Sequence, residues 1–197
     1  MSSVKIEGNA SGTGVFTIAS PNSNTNRTLT LPDNTGTILT SATTTGFPAG
    51  SIIQVKNVTS GTYATTTTLI PIDNTIPQNT EGAEFFTLAI TPTSTTSKLL
   101  IIVSAQVGSG AGVIWHTIAL FQDSTANALA SMASYIETSG GGYTAVLTHF
   151  MTAGTTSSTT FKLRYGPNTG TGAINGTSSA IFNGTCATSM TIMEIAA

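Results

Sequence analysis

The segment Glu84–Gln106, EFFTLAITPTSTTSKLLIIVSAQ, constrains the fold more than any other stretch of the chain. Phe86, Leu88 and Ile90 alternate with Phe85, Thr87 and Ala89, the period of two of a β-strand. Pro92 ends that strand, because proline has no N–H to give to a ladder. After a Ser/Thr loop, Leu99, Ile101, Val103, Ala105 and Val107 line one face of a second strand. Leu100 and Ile102 occupy its other face, which turns polar at Ser104 and Gln106. A strand that is apolar on both faces needs cover on both sides. One cover is the opposing sheet of its own domain. The second is either more of a monomer's interior or a neighbouring subunit, and Leu100 and Ile102 are the residues such a subunit interface would use.

The rest of the chain agrees with a β fold. There are 197 residues, room for one domain of roughly 150 residues with an extension. A domain of that size buries enough surface to do without disulfides, and the single cysteine, Cys186, has no partner within the chain. Charged residues make up 7% of the chain, against about 25% in ordinary soluble proteins. In their place stand 40 Thr, 21 Ser and 20 Gly. Thr is β-branched and favours strands, so the polar surface is expected to be hydroxyl and amide. A net charge of −2 argues against nucleic acid or an anionic membrane surface as partner. Met1–Gly14 lacks the apolar core of a secretory leader, and no run of about 18 apolar residues predicts a spanning helix.

Along the chain, Met1–Thr45 holds short β-like pieces at Val15–Ile18, Thr28–Leu31 and Thr37–Leu39, punctuated by turn chemistry at Pro21–Asn24 and Pro32–Asn34. Thr40–Ala49 reads as a linker. The predicted division is an attachment segment, residues 1–47, and a β-sandwich, residues 48–197. Strands are expected at Ile52–Val58, within Thr59–Thr68, and at Phe85–Ile90, Leu99–Val107 and Val113–Gln122. Further strands are expected at Ala128–Glu137, Tyr143–Met151, Thr159–Tyr165, Ala180–Asn183 and Met190–Ile195. In the strand Thr159–Tyr165, Phe161, Leu163 and Tyr165 point inward and Lys162 and Arg164 outward. Pro71–Glu84 and Gly166–Gly176 are read as connections. So many short strands separated by turn signals predict an all-β, jelly-roll-like sandwich.

Two resemblances add to this. The block Gly12–Leu39, GTGVFTIASPNSNTNRTLTLPDNTGTIL, resembles a recurrent segment near the start of bacteriophage tail-fibre and related virion proteins. That resemblance implies a trimeric virion appendage, made in the host bacterial cytoplasm and attached to other virion proteins through residues 1–47. The order FFTLAITPTSTTSKLLIIVSA, FKLRYG and terminal SMTIMEI is similar to the C1q/TNF-like trimeric jelly rolls. Together they imply a short homotrimeric tail fibre that binds a host surface glycan or protein. The alternative is a capsid decoration or head-fibre protein that clamps the shell.

No catalytic or cofactor motif emerges. Gly108–Gly112 lacks the spacing of a nucleotide loop and precedes a strand where a helix is required. His116 and His149 alternate with apolar residues and read as core or interface histidines, although a threefold axis could gather three imidazoles around a metal or anion. Cys186 reads as a small buried hydrophobe. Asp123, Glu137 and Glu194 are too scattered to nominate as a glycosidase pair. The expectation is a non-enzyme without metal or cofactor. Its ligand would meet the loops Gly108–Gly112, Ser139–Tyr143 and Gly166–Gly176, with Gly110, Gly141, Tyr143, Tyr165, Asn168 and Asn175 as candidates. Tyr143 and Tyr165 are the rings expected to stack on a neutral sugar.

Overall fold

The computed structural model describes residues 11–15, 17, 22–26, 28, 47–110 and 112–197. Backbone contacts divide the chain into two compact units, Met1–Thr37 and Ile38–Ala197. In the first, the Thr25 N–H donates to Ser23 Oγ at 3.1 Å, a local turn of the kind Ser favours. The short strands expected within Met1–Thr45 lie largely outside the described residues, as does most of the expected linker.

Among its described residues the second unit carries ten strands: β1 (Ile52–Ser60), β2 (Ala64–Thr66), β3 (Ala83–Ile90), β4 (Lys98–Ser109), β5 (Ile114–Gln122), β6 (Ala130–Ile136), β7 (Gly142–Thr152), β8 (Thr159–Pro167), β9 (Gly172–Ile174) and β10 (Thr188–Ile195). They form two antiparallel sheets. In the first, β4 pairs with β7 along one edge and with β10 and then β9 along the other; β1 extends β10 and β2 extends β9. The second sheet runs β3-β8-β5-β6. Leaving out the short β2 and β9, successive strands cross repeatedly between the sheets, so that first and last strands pair. That nesting of Greek keys is the jelly-roll arrangement.

The alternation in the sequence sets which side chains fill the space between the sheets. Leu99, Ile101, Val103, Ala105 and Val107 of β4 are all fully buried, and their register brings them against Ile192 and Met190 of β10 and Leu147 of β7. From the facing sheet come Ile118, Leu120, Phe161, Leu163 and Tyr165, while Arg164 and Lys162 point away as expected. Such a core is closed by many dispersion contacts rather than by any one residue. Beneath β4, Glu194 is also buried. It accepts from the Thr93 N–H and Oγ1 (both 2.8 Å) and from Gln54 Nε2 (2.6 Å), tying the Pro92 loop to the last strand. Burial pulls its carboxyl pKa up, but these hydrogen bonds outweigh it and hold it below the usual range.

Two expectations are corrected. Ala180–Asn183 is not a strand: Ala180 makes a single bridge to Gly176, and Phe182–Gly184 is one turn of 3-10 helix. Phe182 and Asn183 there have φ of 51° and 49°, a left-handed backbone that no ladder accommodates. Conversely, the connection Gly166–Gly176 contains β9, wholly buried between β4 and β2. Its Gly172 lies so close to the His116 ring that a Cβ there would collide with Nε2. Glycine, a poor strand former, is required by the close approach.

The outer faces of the two sheets differ. Over the second sheet runs the connection between β2 and β3. Ile70 in it is buried with Ala119, Phe121 and Ala128, and its N–H donates to Pro167 O at 3.0 Å. Gly82 (φ 63°) lets this connection close, since a Cβ would strike Ile70 and the Tyr165 carbonyl. Arg164 donates through Nε to Glu81 O (2.8 Å) and through its terminal nitrogen to Gly82 O (2.7 Å), and approaches Glu84 at 3.8 Å. On the first sheet, register aligns Val55, Met193, Leu100 and Phe150 in one row across four strands of the outer face, with Ile102 in the next row. Val55 is 52% exposed and Phe150 57%.

Candidate functional site

Three loops expected to be functional do converge. The Ser109 N–H donates to Gly141 O at 2.9 Å, the Gly140 N–H returns to Ser109 O at 3.2 Å, and the Gly110 N–H donates to Thr171 O at 3.4 Å. The β4–β5, β6–β7 and β8–β9 turns thus form one end of the sandwich. Ser109 Oγ donates to Gly112 O at 2.7 Å, and Gly112 and Gly140 take φ of 88° and 74°, which suits turns this tight. No lysine or arginine lies within these turns, and their one carboxylate is Glu137, just beyond β6.

The structure separates the candidate residues into two groups. Gly110, Gly141 and Asn168 sit in the loop cluster. Tyr165 does not: it is 2% exposed, stacked on the His116 ring at 5.8 Å and edge-on to Phe85 at 6.0 Å. Burial lifts its phenol to about 12. It offers no face to a sugar, because β8 carries it on the same inward parity as Phe161 and Leu163. Tyr143 is half-buried on the inner side of β7, and its hydroxyl donates to the His116 carbonyl at 2.8 Å. Asn175 is 1% exposed. Its Nδ2 donates to Ser60 O (2.7 Å) and Thr62 O (2.9 Å), and its Oδ1 accepts from Thr188 Oγ1 (2.8 Å). It pins β1, β9 and β10 together and leaves nothing for a ligand.

His116 is fully buried between the sheets, the core position read for it, so copies of it cannot meet on a threefold axis. Neither ring nitrogen has a hydrogen-bond partner, and burial pushes the imidazole down to about 4, which keeps it neutral. His149 lies on the inner side of the edge strand β7, partly buried, with its pKa lowered by burial. Among the described residues, no three His, Cys, Asp or Glu side chains gather as a metal site. Cys186 is a free, half-buried thiol.

The sequence reading missed the aromatic pair at this end. Trp115 opens β5 and Tyr135 closes β6, opposite each other in the register. Their rings lie 5.3 Å apart at 45°, and both are open: Trp115 is 38% exposed and Tyr135 50%. Asn168 clasps the Trp115 backbone from the other side. Its Oδ1 accepts the Trp115 N–H at 2.9 Å and its own N–H donates to Trp115 O at 3.0 Å. The available signal was the parity of β5: if Ile114, Ile118 and Leu120 point inward, Trp115 must point out. At the opposite end of β6, two shallow depressions of about 310 and 400 Å³ flank Ala128 and Leu129.

No protein-family model matches the chain, and no curated protein matches it by sequence. Among solved structures, the infectious bursal disease virus VP2 subviral particle matches with 12% identity and a TM-score of 0.35, over 75% of this chain and 39% of that one. The structure of the Gx strain of infectious bursal disease virus matches with 11% identity and a TM-score of 0.37, over 81% and 42%. The enzymatically active domain of bacteriophage CBA120 tailspike protein 4 matches with 15% identity and a TM-score of 0.26, over 61% and 18%. The chain thus spans about two fifths of the virus structures and less of the tailspike. At TM-scores this low the likenesses carry no functional argument.

Proposed function

We propose that this chain is a bacteriophage virion appendage: a short homotrimeric tail fibre that attaches through residues 1–47 and presents residues 48–197 as a host-binding knob. The observation that carries this reading is the asymmetry of the sandwich. One sheet has the part of its outer face around Ala119 and Phe121 covered by its own chain, whereas the other exposes an apolar row, Val55, Met193, Leu100 and Phe150. Copies packed about a threefold axis through that row, with Ile102 beside it, leave the loop end of each protomer free to meet a ligand. The likeness of Gly12–Leu39 to tail-fibre segments supports the attachment role, and the scarcity of charge supports a life on an outer surface.

The chain acts by binding rather than by reaction. Asp123 accepts from Thr159 Oγ1 and the Thr160 N–H (2.9 and 2.8 Å), and Glu194 is enclosed by Thr93 and Gln54. Both carboxylates are committed to the scaffold. Gold-labelled antibody against the protein, viewed on virions by electron microscopy, is expected to mark the tail, and the free full-length protein is expected to block phage adsorption. Label over the head shell with no competition would replace this reading with that of a capsid clamp.

A further inference from the structure

We infer that Trp115, Tyr135 and Asn168 form a binding subsite for a neutral saccharide; this rests on, and sharpens, the host-binding role proposed above. A pyranose ring is amphipathic, with C–H groups on its faces and hydroxyls at its rim. It needs an apolar platform edged by hydrogen-bonding groups. The two rings supply the platform. Their planes are inclined at 45°, and being stiff side chains they lose little entropy on contact.

The rim is equally well placed. Asn168 has its Oδ1 occupied by the Trp115 N–H, which fixes the amide and leaves both Nδ2 hydrogens without a partner among the described residues. The Trp115 indole N–H and the Tyr135 hydroxyl are likewise without a partner among the described residues. Three kinds of donor, unpaired among the described residues, therefore belong to the two exposed rings and to the residue that clasps the Trp115 backbone, beside loops of Gly, Ser, Thr and Asn.

Size and charge select the ligand. The open parts of two aromatic rings, each burying about 150–250 Å² when fully covered, offer roughly 200 Å². That matches one or two sugar rings and falls well short of the roughly 800 Å² per side of a stable protein interface. The charged residue nearest in sequence to either ring is Glu137, exposed one residue beyond the end of β6. A carboxylate there disfavours acidic sugars, and the converging turns supply no cation to offset it.

Trp115 is the only tryptophan in the chain, so intrinsic fluorescence reports on this site alone. The full-length protein is titrated with chitotetraose, maltohexaose, a mannan hexasaccharide and a galactan hexasaccharide, and with colominic acid as the acidic control. At least one neutral oligosaccharide should shift the emission saturably, and colominic acid should not. Tyr135→Ala should weaken that binding at least tenfold. Asn168→Asp keeps the oxygen that holds Trp115 but removes both donors, and should also weaken it at least tenfold. Unchanged near-ultraviolet circular dichroism shows that each variant is folded. Silence across the neutral panel, or binding that survives both substitutions, overturns the subsite. So does failure of acrylamide to quench Trp115, which would mean that another copy of the chain covers the rings. A tail-located protein that fails these titrations keeps the appendage reading and loses the subsite. Saccharide binding by a protein absent from virions does the reverse.

Discussion

The outer faces of the two sheets have the same architecture beneath them and opposite fates. On β5 and β8, Ala119, Phe121, Arg164 and Lys162 face outward, and the chain's own connection crosses them, seals Ile70 over the apolar pair and binds the arginine. On β4 and its neighbours, Leu100, Met193, Val55 and Phe150 face outward with nothing comparable above them among the described residues, and two of the four are more than half exposed. A patch of this kind costs free energy in water. The difference contrasts a face the chain covers by itself with one the proposed trimer would cover: a long, proline-bearing loop does for part of one sheet what a second copy would do for the other.

The largest effect expected is on the open face. Leu100→Asp places an unpaired charge in the proposed interface, which costs several kcal/mol per protomer. Light scattering should then report monomers, while the far-ultraviolet β signature persists. A Leu100→Asp protein that stays trimeric would show that the partner lies elsewhere.

On the covered face, Ile70→Ala should cost about 2–5 kcal/mol in urea unfolding whatever the oligomeric state, because the cavity forms inside one chain. Phe150→Ala sharpens the contrast. In a monomer a side chain so exposed should matter by less than about 0.5 kcal/mol, so a larger, concentration-dependent cost would itself reveal a covering copy.

Acid should attack the space between the sheets rather than either outer face. His116 is held neutral with its pKa at about 4, whereas an unfolded chain protonates it near 6.5. Between those values the unfolded state binds more protons, so stability falls as pH drops from about 6.5 to about 4 and then levels off, a loss of about 3 kcal/mol. Glu194, depressed in the fold, extends the loss below the ordinary carboxylate range. His116→Phe should flatten the upper part of this profile in urea midpoints measured against pH.

The smallest effect belongs to the rim of the covered face. Glu84 reaches Arg164 at 3.8 Å and Lys162 at 4.0 Å from a half-open position. Glu84→Gln should cost less than about 1 kcal/mol, and less again in high salt. A thermal midpoint lowered by more than a few degrees would mean that this face relies on charge after all.

Period-two alternation was enough, without coordinates, to predict an all-β chain, to bound most of the long strands within a few residues and to sort β4 and β8 into inward and outward sets. Those are local properties: a strand's pleat dictates which residues share a face. Local pattern does not say what lies above a face, and the errors concentrate there. Tyr165 ends a strand on its inward face and Asn175 lies in the glycine-rich segment after it; both read as ligand contacts, yet the opposing sheet closes over the first and β1, β10 and the β1–β2 turn over the second. Gly172–Ile174 has weak strand propensity and becomes a buried strand because only glycine clears the His116 ring. Trp115 was passed over, although the parity of β5 sets it outward, and it proves open. Pairing across residues far apart in the chain brought the three glycine turns together and set Tyr135 beside Trp115. The sequence by itself determined which side chains travel together. Only the tertiary structure decided which of those groups were covered, because burial is set by the strands and loops that fold over a face, and these come from distant parts of the chain.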